Sequence, residues 1–101
     1  MYREFDDDMM KIMLEEDLIA ANVKKFNMLV SEYMDEDLEK IDEMVLNLEK
    51  TENIDSVGVT FVIGLYKRAE KGDMEFRIVG ASEEVVQLFK LMKLEHLIDE
   101  D

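Results

Sequence analysis

Few of the 101 residues have the type and spacing that chemistry requires. Cysteine is absent, which removes thiol nucleophiles and thiolate-held zinc. The one histidine, His96, has no second histidine with which to hold a metal or build a triad, and it reads as a surface residue of the tail. The acidic runs Asp6-Asp7-Asp8 and Asp35-Glu36-Asp37 lack the spacing of a calcium loop and read as solvated turns. Gly58, Gly64, Gly72 and Gly80 lie too far apart to form a phosphate-cradling loop. What remains is Ser56, in Asp55-Ser56-Val57-Gly58, at the start of a strongly apolar helical stretch. A helix start leaves backbone N–H groups without intrahelical partners, and its dipole favours negative charge. A phosphate on Ser56 would bring a charge of about −1.5 to −2 and three acceptor oxygens to that point. The amides of Gly58 and Val59 are placed to help hold it. A plainer role stands beside this one, because serine is a favoured N-cap and caps helices without any further duty. Glycine two residues into a helix costs up to about 1 kcal/mol relative to alanine, and at Gly58 it offers a bare surface to a partner's backbone.

The elements that must position Ser56 can be read from periodicity. Tyr2–Phe5 and Met9–Leu14 read as short strands around the turn Asp6–Asp8. Met9, Met10 and Met13 cannot all face inward from one strand. Ile19, Val23, Phe26, Val30 and Tyr33 form one apolar stripe, which predicts a helix over 19–34 with Asp17 as its N-cap. Residues 35–43 are an acidic connection. Met44–Leu48 is almost continuously apolar, as expected of a central strand covered on both faces. After a loop over 49–54, a helix runs from Ser56 to about Lys71, with Gly72 as a C′ stop. Its apolar residues exceed one face, which suggests packing on the sheet and on a further helix or a partner. Met74–Val79 alternates as a strand, Ser82 caps a third helix, and Leu94, Leu97 and Ile98 close the apolar pattern before an acidic tail. The order ββ-α-β-α-β-α implies an α/β domain with a mixed, mostly parallel sheet of four to five strands and three or four helices.

Composition narrows the functional classes. The length suits one domain spanning 1–101, with its core at about 9–98. Twelve basic against 26 acidic residues give a net charge of −14. Nucleic-acid backbones and anionic membrane surfaces are repelled by such a chain. No apolar run is long enough to span a membrane, and the acidic start is unlike a signal peptide, so a soluble cytoplasmic protein is expected. Apolar residues make up 48% of the chain, too many for disorder. No nucleophile–base pair, metal cluster or cofactor motif is visible, and an enzyme is not expected.

Asp55-Ser56-Val57-Gly58 after Met44–Leu48, followed by Val62-Ile63-Gly64-Leu65-Tyr66-Lys67-Arg68-Ala69, resembles the signature region of bacterial anti-sigma factor antagonists, which are STAS domains. Met74–Gly80, Ser82–Leu91 and Leu94–Ile98 resemble that family's next strand, following helix and ending, and Asp17–Asn22 its acidic turn into the first helix. The match covers about residues 9–98. The resemblance implies that a partner anti-sigma factor, itself a serine kinase, phosphorylates Ser56. It further implies that the unmodified form binds that kinase, that phosphorylation ends the binding, and that Asp17, Asp55, Ser56, Val57, Gly58 and Val59 belong to the partner-binding surface. Two departures stand out. Val57 replaces the small or hydroxylated residue usual after the serine, and Glu15-Glu16-Asp17 stands where the family has a glycine before its acidic turn. The alternative within the family is a non-switching adaptor, as a subunit of a lipid-transport ATPase or of a stress-signalling scaffold, with the helix from Val57 docked permanently.

Overall fold

Alternating side chains at the amino end produce a hairpin. β1 (Tyr2–Asp6) and β2 (Met9–Met13) pair antiparallel, from Tyr2 opposite Met13 to Asp6 opposite Met9. The connecting turn leaves Asp7 at φ 59, a left-handed conformation that aspartate tolerates better than most residues. The computed structural model describes residues 2–34 and 41–98. It continues with α1 (Ala20–Met34), β3 (Glu43–Asn47), α2 (Ser56–Lys71), β4 (Glu75–Val79), α3 (Glu83–Leu91) and a single 3₁₀ turn at Glu95–Leu97. Most of the expected acidic connection, at 35–40, and the tail at 99–101 lie outside the described residues.

The sheet has the order β1-β2-β3-β4, with β2, β3 and β4 mutually parallel. The expected α/β class and mixed, mostly parallel sheet are therefore found, with four strands and three α-helices. Every second residue of the inner strands enters one core. Met10 and Ile12, Met44 and Leu46, and Ile78 meet Phe26 and Val30 of α1, Val62 of α2 and Phe89 of α3. Phe26 and Phe61 join α1 to α2 with ring centroids 5.9 Å apart.

The expectation that β3 is covered on both faces is not met. Met44, Leu46 and Leu48 belong to the core, but Val45 stands outside it on the opposite face, between Lys11 and Arg77 in the ladder. Val45 is nevertheless 4% exposed. The aliphatic stems of long charged neighbours cover such a residue while their heads stay in water. Methionine partitions along the same line: Met10 is buried, whereas Met9 and Met13 are half-buried on the reverse face.

The apolar excess of α2 is also accounted for within the chain. Val59, Phe61, Val62, Leu65 and Ala69 are buried in the core, and Ile63 and Tyr66 pack against it. Among the large hydrophobic residues of this helix, Val57 is the one that stands exposed. Gly72, expected as a left-handed C′ residue, is instead the C-cap at φ −92. The left-handed position falls on Asp73, at φ 56. Asp73 N–H donates to the Glu70 carbonyl and Met74 N–H to the Ala69 carbonyl, a Schellman closure without glycine. Lys93, at φ 59, closes α3 in the same way, with Leu94 N–H donating to the Phe89 carbonyl at 2.8 Å.

Candidate functional site

Two loops meet at the carboxyl ends of β2 and β3, and the meeting is built mostly from backbone. Leu18 N–H donates to the Asn53 carbonyl at 3.0 Å, and Asp55 N–H donates to the Leu18 carbonyl at 3.1 Å. Leu18 and Ile54 thereby form an isolated parallel bridge beyond the sheet. The loop that precedes α1 and the loop that precedes α2 are clasped together, so the two helices start side by side.

Asp17 and Asp55 hold the clasp from opposite loops. The Asp17 carboxylate accepts from the backbone amides of Glu52 and Asn53 at 3.0 and 3.1 Å, and from the Asn53 side chain at 3.0 Å. It was expected to cap α1; it ties down the other loop instead. The cap of α1 is supplied by Asp55, whose Oδ2 accepts Ala20 N–H at 2.9 Å. Asp55 Oδ1 accepts Gly58 N–H, also at 2.9 Å, and so caps α2. One carboxylate therefore serves two helix starts. The Asn53 side-chain amide, with the Asn53 and Glu52 backbone amides, holds the Asp17 carboxyl below its ordinary range. The Ala20 and Gly58 amides do the same for Asp55. Both groups are anions that are satisfied within the chain.

Ser56 is consequently not the N-cap. It is the first residue of α2, exposed, and its hydroxyl makes no hydrogen bond among the described residues. Its carbonyl accepts from Thr60 Oγ1 at 3.0 Å. Val57 beside it is 42% exposed. The amides expected to receive a phosphate are already used: Gly58 N–H by Asp55 Oδ1, and Val59 N–H by the Asp55 carbonyl at 3.0 Å. Of the two amides ahead of the first intrahelical bond, that of Val57 also acts on the Asp55 carboxylate.

Gly58 and Val59 do not form part of an accessible surface. Both are buried. A Cβ on Gly58 would lie 1.9 Å from the Leu18 carbonyl oxygen, so the backbone that approaches this glycine closely is the chain's own and not a partner's. Val59 is 2% exposed and lies in the core. The exposed members of the set are thus Ser56 and Val57, while Asp17 and Asp55 are half-buried. Glu16, in the acidic segment that replaces the family's glycine, pairs with Lys25 of α1. Leu18 and Ala20 join the clasp through backbone groups, and Asn53 through its backbone and a side chain 36 residues from Asp17, so no local residue pattern marks their roles. His96 is exposed and stacks edge-on against Tyr66 at 6.1 Å.

The described residues contain no helix long and apolar enough to cross a membrane. The family model of the STAS domain matches residues 2–100. No curated protein matches the chain. Among solved structures, a proposed anti-sigma factor antagonist from Thermotoga maritima superimposes with a TM-score of 0.84 at 22% identity, over 97% of this chain and 82% of its own. The anti-sigma factor antagonist SpoIIAA in its unphosphorylated form gives 0.80 at 19% identity, over 97% and 84% of the two chains. The phosphorylated form of the Bacillus cell fate determinant SpoIIAA gives 0.75 at 18%, over 97% and 87%.

Proposed function

The chain belongs to the STAS domain family, and we propose that it acts there as an anti-sigma factor antagonist, switched by phosphorylation of Ser56. The observation that carries this reading is the placement of Ser56. Its hydroxyl is exposed and makes no internal hydrogen bond, yet it stands on a backbone held rigidly by the Asp55 double cap and the Leu18 clasp. Access lets a kinase reach the hydroxyl, and a backbone already in place lowers the cost of holding it for transfer. SpoIIAA, which shares the fold, is described in both an unphosphorylated and a phosphorylated form.

In this reading the partner is an anti-sigma factor that is also a serine kinase, and the chain itself contributes no catalytic group, metal or cofactor. The kinase brings ATP and magnesium. The Ser56 oxygen attacks the γ-phosphorus, its proton passes to a base on the kinase, and ADP leaves. Unmodified Ser56 and Val57 pack against the partner. The new dianion then stands at a protein–protein contact, where desolvation and repulsion oppose binding. Because the Gly58 and Val59 amides are engaged, the phosphate is not drawn into the domain and the fold has no reason to change. The switch is an event of the surface, and the site of action is the cytoplasm, where ATP and sigma factors reside.

Intact mass and peptide mapping across Glu52–Lys67, on protein purified from its own host, test the proposal. One phosphate on Ser56, varying in occupancy with growth state, is the expected result. Absence of phosphate under every condition would leave the clasp standing and remove the switch.

A further inference from the structure

Val57, the residue after Ser56, lines a groove between α1 and α2. Two shallow depressions join there, sharing Val23, Asn27 and Val57. One runs along α1 past Lys24, Met28 and Glu32. The other runs down α2 past Thr60, Gly64 and Arg68. From Val57 to Arg68 the groove is roughly 16 Å long, about three helical turns. Its apolar lining emerges at two exposed residues, Met28 at 64% and Val57 at 42%.

Two observations mark this groove as more than a seam. The first is Gly64. It lies in the interior of α2, where glycine is disfavoured, and a Cβ added there would meet nothing within 4 Å. Neither packing nor backbone conformation requires glycine at this position, and its effect is to keep the groove floor open. The second is charge. The chain carries 26 acidic against 12 basic residues, yet α1 and α2 together reverse the balance, with Lys24, Lys25, Lys67, Arg68 and Lys71 against Glu32 and Glu70. Lys24 and Arg68 line the groove itself. Glu32 lines it too, so the groove's own side chains carry two cations against one anion; at physiological ionic strength charges act over about 8 Å, and a molecule in the groove senses this local balance more than the distant acidic surface.

We infer that the α1–α2 groove docks an amphipathic helix of the partner protein, with an apolar stripe on the groove floor and acidic side chains on its flanks. This rests on the partner-switch reading and deepens it, since Val57, which lines the groove, is the neighbour of Ser56. A phosphate on Ser56 would place a second anion beside the acidic flank of the docked helix and expel it by repulsion.

Two synthetic peptides test this directly. Both carry the same leucine stripe at i, i+3, i+4 and i+7; one is flanked by glutamate and the other by lysine. Each is titrated into ¹⁵N-labelled protein at physiological salt. The glutamate-flanked peptide is expected to shift the amides of Val57, Thr60, Gly64 and Met28 and to bind about tenfold more tightly than its lysine counterpart. K24E together with R68E should reverse that order. Gly64→Leu, which fills the groove, should weaken the glutamate-flanked peptide about tenfold without lowering the unfolding midpoint. Tighter binding of the lysine-flanked peptide, shifts centred on the helix-free sheet face, or no binding of either peptide would overturn the inference. If Ser56 phosphate still dissociates the kinase in those cases, the inference falls alone and the switch stands.

Discussion

Gly58 and Gly64 lie in the same helix, less than two turns apart, and the structure assigns opposite signs to the same substitution. Alanine at either site gains helix propensity, up to about 1 kcal/mol. At Gly64 nothing opposes that gain, and Gly64→Ala should stabilise the domain by roughly 0.5–1 kcal/mol. At Gly58 the new methyl would lie 1.9 Å from the Leu18 carbonyl oxygen and 2.7 Å from its carbon. Both atoms are backbone, so the loop must move by about 1 Å for any van der Waals fit. That movement stretches the bond from Asp55 N–H to Leu18 and threatens the bond from Leu18 to Asn53. Losing buried backbone bonds costs about 1–3 kcal/mol each, so Gly58→Ala should cost about 3 kcal/mol net. For a domain of this size the midpoint would fall by roughly 10–20 °C. Urea unfolding of the two variants beside wild type, followed by circular dichroism, measures both effects. A Gly58→Ala protein within 0.5 kcal/mol of wild type, by the usual tolerance for unstrained surface changes of about that size, would refute the clasp as the reason for this glycine.

Ser56→Ala should change stability by no more than about 0.5 kcal/mol, because the exposed hydroxyl makes no internal bond, while abolishing phosphate uptake; calorimetry and intact mass report the two. Asp17 and Asp55 have carboxyl groups depressed by amide donors, so their stabilisation is complete above the ordinary aspartate range and is lost as pH falls through the depressed values. Urea midpoints between pH 6 and pH 2 should therefore fall at the acid end, and Asp55→Asn should lower the plateau and flatten that fall. Lys93→Gly should raise stability by roughly 0.5–1 kcal/mol, since the left-handed closure of α3 is now made by a residue with a side chain; thermal unfolding measures it.

Alternation and stripes made the strands and helices legible, and with them the α/β order and the place of Ser56 at a strand-to-helix edge. Side chains that recur every second or every third to fourth residue carry that information locally. The clasp was not legible in the same way. Asp17 precedes α1 and was expected to cap it, yet Asp55, 35 residues from Ala20, does so. Local sequence cannot say which of two aspartates reaches a helix start when both loops fold to the same edge. Gly58 carried a true signal of close approach, but sequence does not tell whose backbone approaches. The apolar run of β3 suggested two covered faces because burial of Val45 by lysine and arginine stems looks the same as burial by a helix. Helix stops failed for a related reason: Gly72 stood one residue too early, and Asp73 and Lys93 adopt the left-handed turn without the residue that usually marks it.

The central claim is that a phosphate on Ser56 changes the surface and not the fold. The most direct test compares unmodified and fully Ser56-phosphorylated protein for affinity to the partner kinase, with amide spectra of both. The account predicts a loss of affinity on the order of a hundredfold, with shifted amides confined to Ser56, Val57 and their neighbours in the clasp. Retained affinity, or shifts spreading through the core to Phe26 and Phe89, would contradict it.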